Sequence, residues 1–244
     1  MVYVTGKKDS LEFLTAIDHS GKIRWQIPYG KAWYGGFPAA KSTPNLHRGK
    51  VYVISGQGEV VCLDEKDGRI VWKVPVYDNY KGYATMWGVC ESPLIVDNRV
   101  FYMPGGMETT MVALNTDSGE IEWISESLGD STAYASPIYV KFHGHQTIVA
   151  LSANFLYGVD PDNGDIRWKY KYYDLKGNIT HQYHPIINTN SPYYHDGQIF
   201  VTKGYNHLSA MFGLNESGSN VELLWTDSIM DVHSGGVVML DGYL

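Results

Sequence analysis

The sequence is poor in charge and has no long apolar run. Asp, Glu, Lys and Arg together make up only 18% of the 244 residues. No stretch approaches the ~18 consecutive apolar residues that a membrane-spanning helix needs, so we expect a globular chain without membrane insertion. Residues 1–6 lack the charged and apolar regions of a secretory signal, and their composition is typical of a strand.

Basic residues are also scarce. Nineteen Lys and Arg residues stand against 26 Asp and Glu residues, for a net charge of −7, and the densest basic groups are pairs such as Lys7-Lys8. Nucleic-acid-binding proteins usually carry a basic patch or stripe, and anionic membranes attract clusters of Lys and Arg. A nucleic-acid partner is therefore excluded, and nothing favours binding to a membrane surface.

Only two cysteines occur, Cys62 and Cys90, and they form no CxxC or CxxCH motif. This rules out a disulfide-dense scaffold, a cysteine-based zinc site and covalently attached haem. The two residues either pair with each other or remain free thiols inside the protein. The usual enzyme motifs are missing as well, because Pro104-Gly105-Gly106 is not followed by a phosphate-binding GK[ST] and no serine lies in a GxSxG elbow.

Gly, Tyr and Trp are plentiful, with 26, 19 and 7 residues, as is typical of sheet proteins with many tight turns. Five segments share one pattern: a small residue, an apolar residue, Asp or Asn, a short turn that contains Gly, and a strand that ends in Trp. They run over residues 16–25, 62–72, 113–123, 158–168 and 213–225. Their Trp residues are 47, 51, 45 and 57 positions apart, which fits one four-stranded propeller blade per repeat.

The repeat has a simple physical basis. The Asp or Asn side chain bonds to backbone two residues on and starts the turn, while Gly supplies a positive φ. The Trp is predicted to pack against the neighbouring blade, where its large surface is buried. Two further strands precede each complete motif, most clearly Ser92–Asp97 with Arg99–Tyr102 and Ser191–Gly197 with Gln198–Val201. We therefore predict an all-β propeller of four-stranded blades, with the Trp hairpin outermost.

Both ends of the chain divide a blade. The first motif has three strands from Val2 onward and lacks an innermost one, and residues 233–244 look like an innermost strand followed by the start of the next. The count is four full blades plus two pieces, about five blades. Either residues 1–244 form an incomplete single propeller domain from a longer ring, or the C-terminal strand completes the first blade and closes five.

The Leu-Asp-x-x-x-Gly-x-x-x-Trp units resemble the repeat of the pyrroloquinoline-quinone (PQQ) propeller family over nearly the whole chain. Residues 86–94, 134–137 and 233–238 are similar to loops of a bacterial branch known only as PQQ-like repeat proteins. The family includes quinoprotein alcohol dehydrogenases and non-enzymatic relatives such as the outer-membrane assembly lipoprotein of the Bam complex. The resemblance implies a parent ring of seven or eight blades and a periplasmic or extracellular location.

The resemblance also implies that PQQ with calcium is a possible cofactor. In the family's enzymes a vicinal Cys-Cys ring covers PQQ, whereas Cys62 and Cys90 are separate here. Calcium requires a cluster of Glu, Asn and Asp oxygens, which cannot be assigned in this sequence. The name of the repeat therefore does not establish the cofactor.

Ligand-binding residues are expected in the loops that enter the innermost strands, because these loops surround the central channel. We take six residues of these loops as candidates: Trp33, Trp87, Glu91, Ser136, Asn190 and His233. A glutamate at the channel either binds a cation or sugar hydroxyl, or bonds to backbone and plugs the channel. His181 and His184 lack the spacing and the third ligand of a zinc site. The loop tyrosines supply either an aromatic binding face or padding between blades, as with Tyr77, Tyr80, Tyr83, Tyr172 and Tyr173.

Two functions compete on this basis. The first is a binding or scaffold propeller that holds a protein, peptide or glycan at its loop face or channel. It combines an intact structural repeat with missing catalytic motifs. The alternative is a PQQ-dependent alcohol or sugar dehydrogenase, which depends on family resemblance alone, so whether the chain is an enzyme stays open.

Overall fold

The structure is a computed structural model that describes residues 1–84, 86–177 and 187–244. These residues form nineteen strands, a single helical turn, α1 (Val76–Asn79), and a 3-10 turn (Tyr172–Asp174). Within the described part of the chain, no helix has the length and apolar character of a membrane span. The all-β prediction is confirmed.

The strands pair antiparallel with their sequence neighbours in five sheets, of which sheet 1 has three strands and the others four. Sheet 1 contains β1 (Val2–Lys8), β2 (Leu11–Ile17) and β3 (Ile23–Lys31); sheet 2 contains β4 (Asn45–His47), β5 (Lys50–Ile54), β6 (Val60–Asp64) and β7 (Ile70–Val74); sheet 3 contains β8 (Leu94–Val96), β9 (Arg99–Tyr102), β10 (Val112–Asn115) and β11 (Ile121–Ile124); sheet 4 contains β12 (Ile138–Phe142), β13 (His145–Leu151), β14 (Leu156–Val159) and β15 (Ile166–Tyr170); sheet 5 contains β16 (Tyr193–His195), β17 (Gln198–Val201), β18 (Ser209–Leu214) and β19 (Val221–Asp227).

The chain divides into two compact units, which are described separately. Unit 1 spans residues 1–132 and holds sheets 1 to 3, and unit 2 spans residues 133–244 and holds sheets 4 and 5. In unit 1 the core between sheets 1 and 2 is built on Leu14, Trp25 and Val53, and that between sheets 2 and 3 on Tyr52, Trp72 and Val112. Unit 2 has its own core, in which Trp168 packs with residues of both sheets.

The hairpin turns form as the sequence predicts. The side chain of Asp64 accepts a hydrogen bond from the backbone N–H of Lys66 at 2.9 Å, and that of Asn115 accepts one from Asp117 at 2.8 Å. The turn glycines of all five motifs have positive φ, between 64° and 83°. Local side-chain chemistry is therefore sufficient to set these turns.

The structure explains the small residue that opens the motifs of sheets 1 to 4. A β-bulge follows this residue and places it opposite the motif's tryptophan, as in the pairs Ala16–Trp25, Cys62–Trp72 and Gly158–Trp168. At Gly158 an added Cβ would lie 2.3 Å from the Trp168 ring, so nothing larger than hydrogen fits. The sequence pattern did not reveal the bulge, because an inserted residue leaves no compositional mark.

In unit 1 the motif tryptophans of sheets 1 and 2, Trp25 and Trp72, each pack on the turn of the next sheet. The Nε1–H group of Trp25 donates to the Glu65 carbonyl at 3.2 Å. At Gly68 an added Cβ would lie 2.7 Å from the Trp25 ring. The ring therefore lies directly against the turn glycine, and the predicted packing between neighbouring sheets is present here.

Sheet 5 departs from the pattern. Its turn from Asn215 to Gly218 is one residue shorter than those of sheets 2 to 4. Trp225 lies opposite Met211 rather than opposite Gly213. Because the bulge lies two residues earlier in this sheet, the prediction that Gly213 is equivalent to the small residues of the other motifs was wrong.

Residues 233–244 were predicted to form an innermost strand and the start of another, and this was wrong. They form only an isolated bridge between Leu240 and Tyr243, and the described residues give sheet 1 no fourth strand. A strand with no neighbouring strand makes no backbone hydrogen bonds of a sheet, so a lone strand is not stable.

The two cysteines, Cys62 and Cys90, are both free thiols.

Candidate functional site

The six candidate residues fall into two groups, one in each unit. Trp33, Trp87 and Glu91 belong to unit 1, and the other three belong to unit 2. In unit 1 they lie in the connections that run from the outermost strand of one sheet to the innermost strand of the next, β3 to β4 and β7 to β8. This is the position that the sequence predicts for loops entering a blade.

The two tryptophans of unit 1 anchor these connections to one another. The Trp33 indole donates from Nε1 to the Met86 carbonyl at 2.8 Å. The Trp87 ring meets Phe37 edge to face at 5.9 Å between centroids, and its carbonyl accepts a hydrogen bond from Lys41 Nζ at 2.9 Å. The two loops are thus fixed together by both polar and aromatic contacts.

Large apolar side chains project from the anchored loops into solvent. The exposed fraction is 73% for Phe37, 66% for Tyr34 and 59% for Met86. Tyr83, which lies in the same connection from β7 to β8 as Met86, is also exposed. Met107 is exposed as well and lines a cavity together with Tyr83. We use the name loop face for this set: Tyr34, Phe37, Tyr83, Met86, Trp87 and Met107.

The loop face includes a concave region. A cavity of about 340 Å³ lies elsewhere, in unit 2, but one of about 510 Å³ is lined here by residues 81–83, 106–108 and 129. Its charged rim is the ion pair between Lys81 and Glu108, with Nζ and Oε1 2.5 Å apart. The cavity therefore offers mainly apolar surface with one neutralised charge pair beside it.

Glu91 has a different environment from the tryptophans. It is 1% exposed, and its Oε1 accepts a hydrogen bond from the Met103 backbone N–H at 3.1 Å. Its Oε2 and the hydroxyl of Tyr102 are buried without a hydrogen-bond partner among the described residues. Burial raises the pKa of Glu91 well above its ordinary value of 4.5. Glu91 therefore bonds to backbone inside the protein and does not face solvent.

A second buried glutamate, Glu12, was missed by sequence reasoning. Its Oε2 accepts a 2.6 Å hydrogen bond from the Tyr29 hydroxyl, and both carboxylate oxygens lie 3.2 Å from the Gly56 N–H. Gly56 in turn accepts a hydrogen bond from Val89, so Glu12 supports the loop that carries Trp87. The alternation of Leu-Glu-Phe-Leu in β2 gave no signal, because a surface glutamate produces the same pattern.

The candidates of unit 2 make hydrogen bonds to neighbouring residues of the same unit. Asn190 is 4% exposed and donates from Nδ2 to the Val232 carbonyl at 2.7 Å. Ser136 donates its backbone N–H to the Ser191 hydroxyl at 3.1 Å. The His233 ring lies 4.2 Å from the Tyr205 ring, with Nε2 2.9 Å from the Tyr205 hydroxyl.

The 340 Å³ cavity in unit 2 is lined by residues 189–193 and 235–237. Asn190 lines this cavity, whereas Ser136 and His233 do not.

Unit 2 also contains a fully buried lysine, Lys203, that the sequence analysis missed. Its Nζ lies 5.1 Å from the centre of the Tyr172 ring. Burial lowers the pKa of Lys203 to about 7. Val-Thr-Lys-Gly has the composition of an ordinary strand end, so no signal marked this residue.

The described residues do not fit calcium with PQQ. No group of three His, Cys, Asp or Glu side chains among them is placed to hold a metal ion, and Glu91 presents one carboxylate bonded to backbone. The cysteines form no ring over a cofactor, since both are free thiols. The pair His181 and His184 lies outside the described residues.

Comparison of the sequence with known protein families identifies the family of the chain. The sequence profile of a PQQ-repeat family described as outer membrane protein assembly factor BamB matches residues 12–243. The chain belongs to this family. No functionally curated protein matches its sequence.

Solved structures of the BamB and quinoprotein type share the fold. BamB from Moraxella catarrhalis aligns with a TM-score of 0.62 at 20% identity, over 92% of this chain and 57% of that one. A europium-containing methanol dehydrogenase aligns at 0.59 and 15%, over 93% and 49%. Quinohemoprotein alcohol dehydrogenase from Comamonas testosteroni aligns at 0.57 and 15%, over 93% and 41%.

These structures confirm the fold prediction: the sheets are blades of a β-propeller of the PQQ-like type. The chain spans about half the length of the solved structures that it matches. At these levels of identity the likeness concerns the fold, and function has to be argued from the residues of the site.

Proposed function

We propose that this chain is a binding propeller whose loop face holds an apolar segment of a protein partner. The single observation that carries the proposal is the exposure of Tyr34, Phe37 and Met86 on two loops. A hydrogen bond and an aromatic contact join these loops to one another. Contiguous exposed apolar surface on a folded protein is typical of an interaction site. Membership in a family described as an assembly factor supports a protein partner and a location outside the cytoplasm.

The loop face is suited to binding because its support is rigid. The Trp33–Met86 hydrogen bond and the Phe37–Trp87 ring contact hold the two connections in one arrangement. Preorganised aromatic side chains lose little conformational entropy when they bind, which is why such residues dominate binding energy at interfaces. The ion pair of Lys81 with Glu108 neutralises the charge beside the cavity, so this part of the surface favours an apolar peptide over a strongly charged one.

A peptide array and an oligosaccharide array, probed with the purified chain, test this proposal. We expect binding to peptides rich in aliphatic and aromatic residues. A double substitution, Phe37→Ser with Met86→Ser, should weaken binding by about tenfold or more, as for a central interface residue. Ile121→Ser is the matched control, because Ile121 is an exposed apolar residue on β11 outside the loop face.

The two arrays also separate the alternatives. Binding to oligosaccharides with none to peptides would replace the protein partner by a glycan. Equal binding by the double variant and the parent chain would overturn the assignment of the loop face. A titration with PQQ and calcium checks the dehydrogenase alternative directly, since stoichiometric binding with a quinone absorbance change on adding an alcohol would favour it.

A further inference from the structure

The methionines of the chain differ sharply in exposure. Met107 is 80% exposed and Met86 59%, whereas Met103, Met111 and Met211 are at most 5% exposed. The two most exposed methionines both belong to the loop face. Two-electron oxidants convert methionine, which is apolar, to a polar sulfoxide. The exposure of these two residues therefore gives the loop face a chemical reactivity as well as an apolar surface.

The backbone at Met86 is held in place while its side chain projects into solvent. The Met86 carbonyl accepts the hydrogen bond of the Trp33 indole at 2.8 Å. An added Cβ at Gly35 would lie 2.7 Å from the same carbonyl oxygen, so the chain on either side is closely packed. A chemical change at the Met86 sulfur thus alters the surface and leaves these backbone contacts intact.

Met107 has a similar arrangement at the cavity. Gly106, the residue before it, donates its backbone N–H to the Asp130 carbonyl at 2.7 Å. The Met107 side chain lines the cavity of about 510 Å³ together with Tyr83, and its Sδ lies 3.7 Å from the position of an added Cβ at Gly129. An oxygen atom added to this sulfur would change the wall of the cavity from apolar to polar.

The thiols of the chain are better shielded than these thioethers. Cys62 is buried, and the Cys90 sulfur lies within 3.8 Å of the carbonyl oxygens of Trp87 and Gly88. Burial raises the pKa of both thiols, and the thiolate is the form that reacts with oxidants. The most exposed sulfur-containing side chains are therefore those of Met107 and Met86.

We propose that Met86 and Met107 form a reversible oxidation site, at which sulfoxide formation makes the loop face polar and releases its partner. Each thioether sulfur takes one oxygen atom from hydrogen peroxide: the S–O bond forms, the O–O bond breaks, the sulfur gives up two electrons, and water leaves. A methionine sulfoxide reductase reverses the step with two thiols, which become a disulfide while the oxygen leaves as water.

Release of the partner follows from the cost of burying the new oxygen. A sulfoxide covered by an apolar segment has an oxygen that has lost its water and gained no hydrogen-bond donor, which weakens the complex. This part of the proposal rests on the function proposed above. The preferred oxidation of the two residues and the change in surface polarity do not.

Brief treatment of the whole folded chain with hydrogen peroxide, followed by peptide mass spectrometry, tests the site itself. Met86 and Met107 should be oxidised at least about tenfold faster than Met103 and Met111, because susceptibility follows exposure. Met1, which is 42% exposed and lies outside the loop face, is the reference for an exposed methionine elsewhere on the chain. Circular dichroism should be unchanged by this treatment.

A second measurement tests the effect on the loop face. Met86→Leu with Met107→Leu retains apolar side chains of similar volume that peroxide does not oxidise. Each protein is compared with its own untreated sample for retention on a phenyl column and for binding to an aliphatic and aromatic peptide. Treatment should shorten the retention of the parent chain and weaken its peptide binding about tenfold, and a sulfoxide reductase should restore both. The double variant should show neither change.

Three results would overturn the proposal: oxidation of Met103 and Met111 as fast as that of the loop-face residues, equal changes in the parent chain and the double variant, or unchanged retention after both residues are oxidised. Failure of the untreated parent chain to bind any apolar peptide would instead contradict the function proposed above. Retention on the phenyl column would then still decide whether oxidation changes the loop face.

Discussion

The Trp72 indole donates a hydrogen bond from Nε1 to the backbone oxygen of Thr116 at 2.9 Å, and the same ring covers Gly119 of the next sheet. An added Cβ at Gly119 would lie 2.7 Å from the ring atom Cδ2. One side chain thus joins two sheets of unit 1 through a polar and an apolar contact. The tryptophan and the glycine that recur in the sequence repeat are the two residues that make this contact.

The Gly119 contact predicts a large cost for a single methyl group. Gly119→Ala should lower the free energy of unfolding by about 3 kcal/mol, because it combines backbone strain at φ +74° with a clash against Trp72. Gly49→Ala is the control, since Gly49 has φ +75° but open space around the Cβ position. It should cost only about 1–2 kcal/mol. If urea unfolding gives equal losses of unfolding free energy for the two variants, the Trp72 ring moves away from the added methyl group at little cost.

The hydrogen bonds of the tryptophans predict a difference between two matched substitutions. Trp72→Phe removes the bond to Thr116, whereas Trp168→Phe removes an Nε1–H that has no partner within the described ranges. Both variants lose similar volume from buried sites. The loss of stability should therefore be about 1 kcal/mol greater for Trp72→Phe, as measured by chemical denaturation. A larger loss for Trp168→Phe would contradict this assignment.

Glu91 predicts a specific pH dependence of stability. Burial raises its pKa in the folded protein above the ordinary 4.5, so the folded state holds this proton more tightly than the unfolded state does. The contribution of Glu91 is then complete below pH 4.5 and is lost as the pH rises through the folded pKa, by at most about 1.4 kcal/mol per pH unit.

Glu91→Gln isolates this effect, because glutamine resembles the protonated acid and does not titrate. The parent chain should lose stability relative to this variant as the pH rises above 4.5. Glu12, whose pKa is also raised by burial, is present in both proteins and cancels to first order. Parallel stability curves for the two proteins would mean that Glu91 ionises without penalty.

The cysteines are predicted to be unreactive while the protein is folded. Burial raises the pKa of Cys62 to about 11 and that of Cys90 to about 12, and the thiolate is the form that reacts. Alkylation at pH 8 should be roughly 100-fold slower in the folded chain than in the unfolded chain. Two thiols should be counted after unfolding without reductant, and a count of zero would mean that Cys62 and Cys90 are paired.

The sequence predicted the parts of the fold that depend on neighbouring residues. The Asx turns at Asp64 and Asn115 follow from side chains that bond to their own backbone, and the glycines follow from the need for positive φ. Strand pairs such as β8 with β9 follow from alternation around a turn. These features are local, so five repeats were enough to identify the blade.

The candidate site was predicted less completely. The loops that carry Trp33 and Trp87 were identified because they interrupt the repeat, but their contacts with Met86 and Phe37 were not visible. Glu12 and Lys203 lie in strand-like segments, and nothing in those segments distinguishes a buried charge from an exposed one. Burial depends on which sheet covers a strand, and this is settled by packing between distant residues.

The same division applies to the whole protein. The sequence by itself determined the blade repeat, the turns and the resemblance to PQQ-like propellers, because each of these is encoded over a few consecutive residues. Only the tertiary structure decided that Glu91 is internal, that Trp225 is exposed whereas Trp25 is covered, and that Phe37 and Trp87 meet in one surface. Those outcomes depend on contacts between residues far apart in the chain, which the order of residue types does not specify.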